Sequence, residues 1–180
     1  MSESLKLFLT GYSGCGKTSL GRKVARRLDV RFIDTDAEIE NEEQASVSDI
    51  FRYEGEEHFR RAERALLERI AGEEGSAIVS TGGGMPVWSD NAERMNQIGT
   101  TVYISRSAEQ IARRLTPYGI AKRPRLHGLN EKEMVEFMER DIAAREPFYA
   151  KSQYRLDGTA HDDSALLDQL IKIFQKSNEQ

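Results

Sequence analysis

The chain has 180 residues, 38% of them hydrophobic and 31% charged, with a formal net charge of −4. That length suits one domain with a full hydrophobic core, and the acidic balance argues against nucleic acid as the main partner. The single cysteine, Cys15, excludes an intramolecular disulfide and a cysteine-based metal site, and no apolar run is long enough for a signal peptide or a membrane span, so a cytoplasmic protein is expected.

LKLFLT (5–10) reads as a short buried strand ended by Gly11. From Thr18, Leu20, Val24 and Leu28 fall on one helical face. RFID (31–34) is a second strand, and residues 47–71 carry helical periodicity with a break near Gly55. AIVST (77–81) and TTVYIS (100–105) are further strands. Ser107 suits the cap of a helix over 107–115. The stretch LTPYGIAKRPRLHGL (115–129) breaks the pattern with two prolines, two glycines and a cluster of cations, as a mobile lid would. Residues 130–151 are helical, QYRLD (153–157) offers a fifth strand, and DDSALLDQLIKIF closes with an amphipathic helix. Alternating strands and helices imply a parallel sheet covered on both faces. Trp88 is read as an exposed apolar residue.

Gly11 to Thr18 fits G-x-x-x-x-G-K-[ST] between a predicted strand and a predicted helix, the context of a P-loop. Its glycines let backbone N–H groups curl around phosphate oxygens. The following helix adds its positive end, Lys17 a point charge, and Thr18 a hydroxyl for Mg²⁺. This names a nucleoside triphosphate as donor and leaves the acceptor open. In FIDTD, Asp34 and Asp36 end strand two beside that loop, where ligands bind in open parallel sheets. One suits the surroundings of Mg²⁺ and the other a substrate hydroxyl; the alternative for either is to cap the next helix. In GEEHFRRAE, Arg60 and Arg61 point about 100° apart, so at most one faces a central pocket. Gly82, Gly83 and Gly84 either let a ligand approach the backbone or form a tight turn into Pro86. If Arg60 and Arg145 converge, they make a fork for a carboxylate, and the acceptor is then a small anionic polyol.

Taken in order, GYSGCGKTSLGRKVARRL, FIDTD, SVSDIFRYEGEEHFRRAE, STGGG, KRPRL and REPFY resemble shikimate kinase from residue 5 to about 155. The resemblance implies transfer of the ATP γ-phosphate to the 3-hydroxyl of shikimate in aromatic amino-acid biosynthesis, with Mg²⁺ as cofactor. It implies a three-layer αβα P-loop kinase fold with a five-stranded parallel sheet. One domain spans 1–180, with a substrate-binding helical region near 36–65 and a mobile lid near 115–129. It implies ATP contacts at Gly14, Cys15, Gly16, Lys17, Thr18 and Ser19, with Arg123 from the lid and Arg113 from a helix end, for which Arg114 competes. Shikimate would meet Asp36 as base, Arg60 and Arg145 at its carboxylate, and Gly82 to Gly84. Thr18 and Asp34 would belong to the metal. Catalysis would fall to Lys17, Asp36 and Arg123. The lid departs from the usual R-P-L-L at Arg125, which is either a second phosphate contact or, the favoured reading, a solvated charge. The loop near 157–162 carries no transferable motif, and a monomer is expected.

Overall fold

The computed structural model describes residues 4–179, so Met1 to Glu3 and Gln180 of the expected domain lie outside the described residues. Strands β1 (Lys6–Thr10), β2 (Arg31–Asp34), β3 (Ala77–Ser80), β4 (Thr100–Ser105) and β5 (Tyr154–Asp157) form one sheet in the order β2-β3-β1-β4-β5. Every pairing is parallel, with Phe8 opposite Val79 and Thr101. β1 therefore runs through the middle of the sheet, and the loop after it opens at the carboxyl edge beside the ends of β3 and β4.

Side chains alternate across a strand, and β1 divides the core accordingly. Leu7 and Leu9 enter one apolar cluster and Phe8 the other. The first cluster is completed by α1 (Lys17–Leu28), α6 (Ala108–Arg114), α8 (Glu131–Tyr149) and α9 (Asp163–Ser177). The second is completed by α2 (Thr35–Glu43), α3 (Val47–Tyr53), α4 (Glu56–Gly72) and α5 (Asn91–Ile98). These are the two outer layers of an α/β P-loop kinase fold.

The predicted helix over 47–71 divides into α3 and α4 at Gly55, whose φ of 89° is a left-handed value that favours glycine. Ser107 caps α6 through a capping box with Gln110, and Asn130 caps α8 in the same way with Glu133. Four features depart from the expectations. Helix α5 has no counterpart among the predicted elements, and helix α2 is anticipated only as the helix an aspartate of FIDTD would cap, without bounds; only Thr35 and Ile39 are buried along it, too few to leave a periodic signal. The segment 115–129 is not all loop, because Thr116 caps a short helix, α7 (Pro117–Ala121), and Pro124–Leu126 form a 3-10 turn. Trp88 is half-buried rather than exposed.

Candidate active site

The loop between β1 and α1 wraps around its own lysine. Lys17 is 6% exposed, and its Nζ donates to the carbonyls of Gly11 at 2.7 Å and Tyr12 at 3.0 Å. Gly16 takes a φ of 103° and provides no side-chain cap, and the first turn of α1 holds no acidic residue. The free N–H groups of that turn and its positive end are therefore left for an anion. Cys15 is fully buried in the core; its backbone N–H donates to Tyr12 O, and its carbonyl accepts from Arg106 Nε at 2.8 Å. It braces the loop from behind and does not line the cavity.

That cavity, of about 400 Å³, lies along the carboxyl edge of the sheet. Its floor is the P-loop, with Gly14, Gly16, Lys17, Thr18 and Ser19. One wall is formed by Asp34 and Asp36, another by Gly82 and Gly83, and the lid residues Gly119 and Arg123 close it from above. Asp34 is engaged through both oxygens. Its Oδ1 caps α2 by accepting from the N–H groups of Asp36 and Ala37, while Oδ2 accepts from Thr18 Oγ1 at 2.7 Å. Ser80 Oγ stands 3.2 Å from the same threonine hydroxyl. These are hard oxygen donors beside a phosphate cradle, the donor chemistry that Mg²⁺ takes. Among the described residues no group of three or more His, Cys, Asp or Glu is arranged to hold a metal.

Asp36 faces a carboxylate that sequence reasoning missed. A methyl group on Gly82 would lie 2.6 Å from Asp36 Oδ1 and 2.9 Å from Glu63 Oε1, so both carboxyl groups close over this glycine. Burial, helped by the charge of Asp34, pushes Asp36 up to about 6. Burial likewise pushes Glu63 up to about 7, against the pull of Arg60. Glu63 is fully buried, its Oε2 accepts from Arg60 Nη1 at 2.7 Å, and its Oε1 has no hydrogen-bond partner. The signal for it was present in the sequence. Phe59, Glu63, Leu66, Leu67 and Ile70 form the buried stripe of α4, and a carboxylate within such a stripe needs a partner.

Of the adjacent arginines, Arg60 turns inward at 12% side-chain exposure and Arg61 outward at 72%. The Arg60 guanidinium packs over the rings of Phe51 and Phe59 and so close to Gly84 that any side chain there would overlap it. Arg145 approaches the next glycine: its Nη1 would lie 3.6 Å from a methyl on Gly83, whose carbonyl accepts from Tyr149 Oη at 2.7 Å. The triple glycine thus lies between the two carboxyls, Arg60 and Arg145, each approaching its bare backbone.

Arg123 Nε donates to Ser13 Oγ at 3.1 Å, and Nη1 to Gly119 O at 2.5 Å, so the lid arginine rests on the P-loop. Arg113 is exposed and does not line the cavity. Arg114 takes that place, with Nη2 3.1 Å from where a methyl on Gly16 would stand and 3.1 Å from Asp163 Oδ2. The neighbouring arginines were indistinguishable in sequence because both end α6; the helical phase set by Ala108 and Ile111 decides between them. A shallow hollow beyond Arg114 is lined by Arg106, Gln110 and residues 158–163. Arg125 is exposed, and it also stacks 4.7 Å from the Phe137 ring centroid and lies 3.6 Å from Asp141 Oδ2.

The family model for shikimate kinase matches residues 13–175. The chain belongs to the shikimate kinase family. The shikimate kinase of Parabacteroides distasonis is 40% identical over 174 residues, covering 93% of this chain and 98% of its own. The crystal structure of shikimate kinase from Bacteroides thetaiotaomicron superposes with a TM-score of 0.85 at 35% identity, covering 98% of this chain and 99% of that one. The Acinetobacter baumannii shikimate kinase, solved in complex with shikimate, gives a TM-score of 0.83 at 28% identity, covering 97% and 95%. As a shikimate kinase family member the protein is an ATP-using phosphotransferase.

Proposed function

We propose that this kinase transfers the γ-phosphoryl group of ATP to the 3-hydroxyl of shikimate, producing shikimate 3-phosphate and ADP. The observation that carries this reading is the Gly82–Gly84 turn. Gly82 and Gly83 line the cavity with Asp36 and the phosphate-binding loop, and the guanidinium groups of Arg60 and Arg145, from separate helices, approach the same turn at Gly84 and Gly83. A carboxylated polyol meets all of these groups: arginine forks for its carboxylate and an aspartate for its hydroxyls. The complex of the Acinetobacter relative with shikimate supports the same acceptor.

Each role follows from chemistry. The P-loop amides and Lys17 hold the β- and γ-phosphates, and Arg114 joins them at the nucleotide in place of Arg113. The hollow beyond it, at residues 158–163, suits the base. Arg60, held by Glu63, and Arg145 bind the shikimate carboxylate and aim the 3-hydroxyl inward. Asp36, as a carboxylate, accepts the hydroxyl proton while the new P–O bond forms and the bond to the β-phosphate breaks. Arg123 neutralises charge on the transferring group, and the segment 115–129 excludes water when it closes. Thr18 and Asp34 would hold Mg²⁺, which when bound screens the phosphate charges. Residues 36–65 form the acceptor-binding region of a single catalytic domain. No helix among the described residues is long and apolar enough to cross a membrane; the working form is taken to be a cytoplasmic monomer.

ADP release by the purified protein with MgATP tests the acceptor. Turnover is expected with shikimate and not with gluconate, a nucleoside monophosphate or ATP alone. Turnover with gluconate instead would retain the mechanism and change the substrate. Nucleotide binding without turnover on any acceptor would leave Asp36 with no function as a base.

A further inference from the structure

We propose that Asp141 is a positioning residue that couples the lid to Arg145, with Arg125 of the lid and Arg145 sharing one oxygen of its carboxylate. The inference rests on the reading of Arg145 as the holder of the substrate carboxylate.

Three donors converge on Asp141 Oδ2. Tyr12 Oη donates at 2.9 Å, Arg145 Nη2 lies at 3.2 Å, and Arg125 Nη1 at 3.6 Å. Each comes from a different part of the machinery: the P-loop, the acceptor site and the lid. Their surroundings are shared as well, because all three line a second cavity of about 170 Å³ together with Phe137 and Met138. Phe137, Asp141 and Arg145 repeat every four residues on α8, so they form one stripe along it. Arg125 stacks on the first of them, and the guanidinium of Arg145 lies over the Tyr12 ring at 5.4 Å.

A carboxylate oxygen has two lone pairs. Tyr12 takes one in a hydrogen bond, Arg145 stands at 3.2 Å as an ion pair, and Arg125 is left with a longer electrostatic contact. An acceptor carboxylate that engages Arg145 supplies it with a second anion and loosens its hold on Asp141. The negative charge of Asp141 then falls to Arg125, and the lid is drawn toward α8. Acceptor binding thereby favours the lid position in which Arg123 faces the phosphates. The coupling is limited to the difference in interaction between the two lid positions, and an exposed-to-half-buried ion pair supplies a modest one. Arg125, at 64% side-chain exposure, is the weak and adjustable member; Asp141, at 15%, is the fixed one.

A double-mutant cycle on Arg125→Gln and Asp141→Asn tests this, read as kcat and KM for each substrate after the wild-type protein has been assayed with shikimate. Arg125→Gln is expected to raise the shikimate KM about twofold to fivefold at low salt, with the ATP KM unchanged, and Arg125→Lys to restore it. Asp141→Asn, which keeps the volume and an acceptor for Tyr12, is expected to raise the shikimate KM about tenfold or more. In the Asp141→Asn background, Arg125→Gln is expected to have no further effect. Additive effects would overturn the coupling, as would a rise confined to the ATP KM, which would assign Arg125 to the nucleotide phosphates. Wild-type protein inactive with shikimate would remove the underlying function, whereas active wild type with an additive cycle would remove only this proposal. Arg125 is at the surface, so its variant remains informative even where Asp141→Asn lowers the melting temperature.

Discussion

At Gly82 two carboxyl groups share one small space, and their protons are worth following. Asp36 is held near 6 and Glu63 near 7, both raised by burial. A base must be ionised to accept a proton, so kcat/KM for shikimate is expected to rise with pH along an acid limb near 6. A solvated aspartate would place that limb near 4. The limb belongs to the interacting pair rather than to one residue. Glu63, held near 7, is mostly protonated where Asp36 titrates, so Glu63→Gln removes little charge there. The limb should therefore stay near 6, while the shikimate KM rises because Arg60 loses the carboxylate that holds it. A rate that stays flat down to about pH 4.5 would exclude Asp36 as the base. The same raised values act on stability in a fixed direction. Folded Asp36 and Glu63 bind protons more tightly than the unfolded chain does, so their contribution is most favourable below about pH 4. It is lost as pH rises through 6 to 7.

At the scale of elements, the lid and the helix ends divide the work. The P-loop was readable from residues alone because its chemistry is local: glycines, lysine and threonine fall within eight positions between a strand and a helix. The cap at Ser107 and the break at Gly55 are equally local, and they lie where the residue types predict. The extent of helix α2 was not readable because one buried isoleucine and one buried threonine do not make a period, although Asp34 caps it as one reading of FIDTD expects. The lid carries its arginine between a short helix and a 3-10 turn, so Arg123 reaches Ser13 from a defined backbone. Arg123→Ala is expected to lower kcat about 10²–10³-fold, the loss that follows removal of a charge-stabilising donor, with little change in shikimate KM. A large loss of shikimate binding at normal kcat would place Arg123 in the acceptor site instead.

Over the whole molecule, the net charge of −4 conceals a cationic face. Lys17, Arg60, Arg114, Arg123 and Arg145 all stand around the carboxyl edge of one sheet, where local potential rather than net charge attracts anions. Strand and helix alternation made that edge legible, since the order β2-β3-β1-β4-β5 sets the P-loop strand at the centre with β2 one strand removed. Contacts between elements far apart in sequence were not legible. Asp141 meets Tyr12 across 129 positions, and Arg123 meets Ser13 across 110. No residue type at either end predicts its partner; only the packing of α8 and the lid against the P-loop supplies it.

The buried sulfur behind the phosphate cradle gives the chain a built-in reporter. Cys15 is the only thiol and is fully enclosed, so a thiol-modifying reagent can react only when the cradle opens. The labelling rate of the unmodified protein therefore measures the breathing of its phosphate-binding loop, without any introduced probe. Nucleotide that clamps the loop should slow the reaction, whereas shikimate alone should slow it less. Equal slowing by either ligand would mean that the loop and the acceptor site open as one unit.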